Sequence, residues 1–172
     1  MELTTDVLLK GPVWARTINS LSPIFKTRTN YSIFMLCMSI GIMYDKRIEK
    51  FEDEDLNPIN VPRNVMQNQN QGDDAGKLDF MFQAAILSTK TESLNEEERL
   101  ELAFGEDHKD FNKLAFLTSF ANFGVTILEE QIGETVIESM ENIKSFLTST
   151  VEGNNFEINS VLPEKILLAP VE

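Results

Sequence analysis

The residues that could do chemistry are few. The only histidine, His108, stands in GEDHKDF beside Asp107 and Asp110. A histidine with neighbouring carboxylates has the donor set for a metal ion or for general acid–base work. The same residues at a helix start also serve as caps or surface groups. The only cysteine, Cys37, lies in an apolar run with no basic neighbour to activate it, so it reads as an inert thiol. One Cys and one His cannot fill a four-ligand zinc site without help from acids. Glu52, Asp53, Glu54 and Asp55 form an acidic cluster. They lack the alternating acids, central glycine and closing glutamate of a calcium loop, and read as a solvated acidic loop. Glu129 and Glu130 are adjacent, and neighbours on a helix diverge by about 100°. No G-x-x-x-x-G-K-[ST] or G-x-G-x-x-G pattern is present. No catalytic, cofactor-binding or metal-binding residue is therefore assigned. The inventory favours a protein without its own active site.

These residues must be positioned by helices. The stretch 111–132, FNKLAFLTSFANFGVTILEEQI, repeats Phe111, Leu114, Thr118, Ala121, Val125, Leu128 and Ile132 at helical spacing. Phe116, Phe120, Phe123 and Ile127 add a second apolar stripe, so the helix is buried on most sides. Ala121 and Gly124 permit close approach of a neighbour. Gly124 costs about 1 kcal/mol against alanine in a helix interior and needs a packing reason. Asp107 or Asp110 is the expected cap, and Gly133 the expected stop.

The stretch 31–44, YSIFMLCMSIGIMY, is apolar on every side, with Asn30 as its expected cap. At 14 residues it falls short of the roughly 20 that cross a membrane, which makes it a second internal helix. Pro12 opens a short helix carrying Trp14 and Ile18. Further helices are predicted over 77–89, from the Ser93/Glu96 capping box to Gly105 with Leu94, Leu100 and Ala103–Phe104 docking it, and over 134–151. The fold class is mainly α: a compact domain of five or six helices around 111–132, with one short extended or hairpin element near 57–66. One domain spans 1–153 and contains a mobile acidic and polar loop, 51–76. Residues 154–172 form an extended tail.

Composition narrows the partners. The net charge is −13 over 172 residues, which disfavours direct contact with DNA or RNA. Residues 1–50 carry seven Lys/Arg against four acids, a net +3, leaving −16 on the rest. Trp14, Arg16, Lys26 and Arg28 in the N-terminal segment, and Ile166, Leu167 and Leu168 in the tail, are the candidate partner-binding residues. No signal peptide is read in MELTTDVLLKG. The lone cysteine suits a reducing cytoplasm.

Four blocks in order carry a family resemblance: YSIFMLCMSIGIMYDKR, INVPRNVM, LDFMFQAAILSTKTESLNE and LAFLTSFANFGVTILEEQI, the last with Phe120-Ala121-Asn122-Phe123-Gly124. Over roughly residues 30–132 the chain resembles the small accessory proteins encoded with DNA phosphorothioation (Dnd) defence systems, the Dnd system-associated protein 4 group. A defence operon built on an SMC-like ATPase with a small middle subunit is of similar make-up. The resemblance implies a non-catalytic accessory subunit of a bacterial anti-phage complex. Its partner would be a larger SMC-like ATPase or nuclease from the same operon, with DNA contacted only through the complex. A homo-oligomer is also compatible. Two other classes stay open: a small metal-dependent enzyme or regulator centred on His108 and nearby acids, and an acidic DNA mimic.

Overall fold

A helix with no polar face has to be surrounded, and the two most apolar stretches of this chain surround each other. The computed structural model describes residues 5–26, 29–52, 58–66, 77–105 and 111–151. Within them the order is β1 (Val7–Leu9), α1 (Pro12–Leu21), α2 (Thr29–Tyr44), β2 (Ile59–Val61), α3 (Arg63–Met66), α4 (Lys77–Ser88), α5 (Glu96–Phe104), α6 (Lys113–Glu129) and α7 (Val136–Val151). The protein is mainly helical, as the periodicity requires. The described chain falls into two compact units, Met1–Glu130 and Gln131–Glu172.

In the first unit α2 packs along α6, with α1 and α4 against α6. Glycines set the approach at the crossing. A Cβ added at Gly124 would lie 1.8 Å from the Cys37 carbonyl oxygen, and one added at Gly41 would lie 2.0 Å from that of Phe120. Each glycine thus seats on the other helix's backbone, which is the packing reason that Gly124 demands. Leu117, Phe120, Ala121, Val125 and Leu128 are fully buried on α6, facing an equally buried Ile33, Phe34, Cys37 and Met38 on α2. Phe82, Phe111, Phe116 and Phe120 form a chain of ring contacts with centroids 5.1–5.8 Å apart, tilted between Phe82 and Phe111 and edge-to-face at the others, a geometry favoured by the ring quadrupoles.

The extended element near 57–66 exists, but it is not a local hairpin. Ile59–Val61 pairs antiparallel with Val7–Leu9, in the register Val7↔Val61, Leu8↔Asn60, Leu9↔Ile59. The chain beyond Pro62 turns into α3, so it cannot supply a second strand. Val7, Leu9 and Val61 face the core while Leu8 and Asn60 point outward, the two-residue alternation of a half-buried ladder. The stretch 51–76, expected as a mobile loop, is therefore structured over β2 and α3. Residues 53–57 and 67–76 lie outside the described residues.

Several caps differ from expectation. The α5 box is Asn95/Glu98 rather than Ser93/Glu96: Asn95 Oδ1 accepts from the Glu98 N–H at 2.9 Å, and Glu98 Oε2 accepts from the Asn95 N–H at 2.8 Å. The spacing is the same, and asparagine caps as well as serine does. Asn112 caps α6 by accepting from the Ala115 N–H. Asp107 and Asp110 lie outside the described residues. α6 ends at Glu129, before Gly133. Asn30 sits inside α2, which begins at Thr29, and its amide donates instead to the Asn60 carbonyl at 2.8 Å. Gly105 follows α5 as expected, and its N–H donates to the Glu101 carbonyl at 2.7 Å.

In the second unit, α7 begins where Thr135 Oγ1 accepts from the Glu138 N–H at 3.1 Å. Val136, Ile137 and Met140 are exposed on it. No described helix is long and apolar enough to cross a membrane.

Candidate functional site

Among the described residues, those singled out from the sequence do not converge on one site. Trp14 is fully buried, and its indole Nε1–H donates to Asn122 Oδ1 at 2.9 Å. It is a core residue, not an exposed partner anchor. The amphipathic period of α1 placed it inward, together with Thr17 and Ile18. Arg16 is exposed on the same helix and donates through Nε to Glu129 Oε1 at 2.6 Å. That hydrogen bond, with the accompanying charge attraction, raises the arginine pKa. Lys26 is exposed just beyond α1. Arg28, His108, Ile166, Leu167 and Leu168 lie outside the described residues, as do Asp53, Glu54 and Asp55.

Cys37 is fully buried, and desolvation pushes its thiol well above its ordinary pKa. A thiol held protonated in an apolar core is a poor nucleophile. Among the described residues no group of three or more His, Cys, Asp or Glu side chains could hold a metal ion.

The segment after α2 carries a polar network that the sequence did not reveal. Asp45 turns the chain with φ +49°, a left-handed conformation that aspartate tolerates better than most residues. Its carboxylate accepts from the Lys90 N–H at 2.8 Å and from Thr89 Oγ1. Arg47 lies over the rings of Phe116 and Phe120, 5.1 and 5.7 Å from their centroids, and pairs with Glu92 at 2.6 Å. The Ile48 N–H donates to the Ser119 carbonyl at 2.9 Å, and Asn122 Nδ2 donates to the Ile48 carbonyl at 3.0 Å. Asn122 thus joins Trp14 of α1, its own helix α6 and the 45–50 segment. Together these contacts tie the post-α2 chain to α6 and to the end of α4. They are architectural: Trp14 and Asn122 are buried and Asp45, Arg47 and Glu92 half-buried.

The α4–α5 hairpin is held in the same manner. Arg99 donates through Nε to the Leu94 carbonyl, through Nη1 to those of Ile86 and Thr89, and through Nη2 to that of Glu92, at 2.6–3.1 Å. One guanidinium therefore closes the whole 89–95 connection. Gln83 Nε2 donates across the hairpin to the Ala103 carbonyl at 3.2 Å.

With Arg99 and Ala103 turned inward, the other face of α5 faces water. Leu100 is 47% and Phe104 63% exposed, and on α4 Phe80 is 67% and Leu87 41% exposed. The sequence reading has Leu94, Leu100 and Ala103–Phe104 docking α5 onto the core; the structure buries Ala103 and leaves Leu94 half-buried, but turns Leu100 and Phe104 out. A nine-residue helix has room for one inward face, and an arginine that binds four backbone carbonyls occupies it. The signal available in the sequence was composition: EEERLELAF offers two competing faces. A shallow groove of about 560 Å³ runs along this surface, lined by Glu96, Glu97, Leu100, Glu101, Phe104 and Gly105.

No protein-family model matches the chain, and no curated protein or solved structure matches it.

Proposed function

We propose that this chain is a non-catalytic adaptor subunit of a bacterial anti-phage defence complex, working in the cytoplasm by binding a larger ATPase or nuclease component. One observation carries the adaptor role: four large apolar side chains, Phe80, Leu87, Leu100 and Phe104, stand in water on a hairpin that a four-bond arginine clamp keeps rigid. Exposed apolar side chains gathered on one element mark interaction surfaces more often than singly scattered ones do. The polar groups buried in the first unit, Asn122 foremost, serve packing. The defence context comes from the resemblance of residues 30–132 to Dnd-associated accessory proteins.

The test is affinity capture of the tagged chain expressed from its native operon, with mass determination of the eluate. A stoichiometric complex with an operon-encoded ATPase or nuclease is the expected result. Elution of the chain alone, as a stable monomer or homo-oligomer, overturns the adaptor role. A partner should also raise the chain's melting temperature, with a stabilisation that grows as the logarithm of one plus its concentration over Kd.

A further inference from the structure

We propose that residues 45–50, the segment after α2, form a latch. It holds the bend of the α4–α5 hairpin to α6, and the hairpin opens from the α2–α6 pair as one unit when that grip breaks. This device does not depend on the adaptor role.

The hairpin is closed on itself. Arg99 donates to the carbonyls of Ile86, Thr89, Glu92 and Leu94, and Gln83 to that of Ala103, so these bonds begin and end inside the hairpin. α5 packs on α4 and buries only Ala103 of its own side chains, so it travels with α4. Among the described residues two kinds of contact hold the pair to the rest. One is the apolar face of α4, where Phe82 meets the rings of Phe111 and Phe116. The other is directional and falls on the bend: Asp45 accepts from Thr89 Oγ1 and the Lys90 N–H, and Arg47 pairs with Glu92. The far end of the same segment is bolted to α6, through the Ile48 N–H on the Ser119 carbonyl and Asn122 Nδ2 on the Ile48 carbonyl. Residues 45–50 thus span from α6 to the bend.

The two interfaces are unequal. The α2–α6 crossing seats glycines on backbone and covers both helices on most sides, whereas α4 offers α6 one face and a narrower contact. Opening free energy follows the buried contact that is broken, so the hairpin is the cheaper unit to release. The latch itself carries two costs that opening relieves. Arg47 Nε is buried over the Phe116 and Phe120 rings with no hydrogen-bond partner among the described residues, so part of its desolvation is uncompensated. Asp45 holds φ +49°, which costs a residue with a Cβ. Opening bares Phe82 on one side and Phe111 and Phe116 on the other, and so gives the first unit a second form with an aromatic surface.

Native-state hydrogen exchange of the full-length chain, followed amide by amide in urea below the unfolding transition, tests the latch. The slowest amides of α4 and α5 should share one opening, at least about tenfold more frequent than that of the slowest amides of α2 and α6, and less dependent on urea because less surface is exposed. Asp45→Asn and Arg47→Met each remove a charged partner from the grip and should speed exchange in α4 and α5 about tenfold. Should either fail to fold, Thr89→Val removes only a hydroxyl and reads the same grip. Ile18→Val, in the buried face of α1, should speed α2 and α6 through global unfolding and leave α4 and α5 unchanged, because α1 keeps its place in the open form. Exchange of α4 and α5 only at the rate and urea slope of α2 and α6 would overturn the proposal. So would α5 opening apart from α4, latch variants that leave α4 and α5 unaltered, or Ile18→Val speeding the hairpin as much as the core.

Discussion

Replacing Gly124 with alanine sets two effects of opposite sign against each other. Helix propensity alone predicts stabilisation of about 1 kcal/mol, because alanine is the best helix former and glycine among the worst. The α2–α6 crossing predicts the reverse. The new methyl carbon would lie 1.8 Å from the Cys37 carbonyl oxygen and 2.5 Å from the carbonyl carbon, where ordinary contact begins near 3.4 Å. The obstructing atoms are helical backbone, so no side-chain rotation relieves them. The helices must separate by about 1.5 Å, and a gap of about 1 Å already forfeits up to half of each dispersion contact. Overpacking costs about 1–3 kcal/mol where side chains can adjust, and more where they cannot. The net expectation is a loss of about 2–4 kcal/mol. Urea unfolding followed by Trp14 fluorescence measures it as a lower midpoint at unchanged slope. The Gly41→Ala/Gly124→Ala double variant should lose less than the sum of the singles, since both act on one separation. A Gly124→Ala protein more stable than the parent would refute the close crossing.

Other outcomes follow from the polar network and the core thiol. Asn122→Ala leaves the buried Trp14 indole N–H without its acceptor and the Ile48 carbonyl without that donor; it should cost about 2–3 kcal/mol in the same unfolding assay and shift the tryptophan emission. Arg99→Lys keeps the charge but not the fork that spans four carbonyls, so it should destabilise by about 2 kcal/mol. Hydrogen exchange should accelerate first at amides 89–95. Cys37 should resist thiol reagents until the protein unfolds globally. Its folded pKa lies well above the ordinary 9.0, so above about pH 9 the unfolded chain releases a proton that the folded chain keeps. Stability is then fully present below that pH and falls as the pH rises, and Cys37→Ala should show a shallower alkaline decline.

Periodicity and apolar content alone identified the two internal helices, since 31–44 and 111–132 offer no polar face to water. Gly124 was legible as a packing glycine because an unfavourable residue in a strong helix has to be offset by something. What it packs on was not legible, because the Cys37 carbonyl lies far away in the sequence. The same limit applies to β2: its extended character shows in Ile59 and Val61, but its partner is Val7–Leu9, and strand pairing at that distance leaves no local mark. Capping followed from spacing, yet Ser93/Glu96 and Asn95/Glu98 satisfy the same rule, and only the path of the 89–95 connection selects between them.

The candidate surface shows the division most clearly. The sequence supplied an acidic, leucine- and phenylalanine-bearing helix, and its period allowed either face to turn inward. Tertiary structure decided, because the carbonyls of Ile86, Thr89, Glu92 and Leu94 converge where a single guanidinium can satisfy them all. Leaving such groups buried without partners costs more than exposing two apolar side chains. Arg99 therefore takes the inner face of α5, and Leu100 and Phe104 stay exposed.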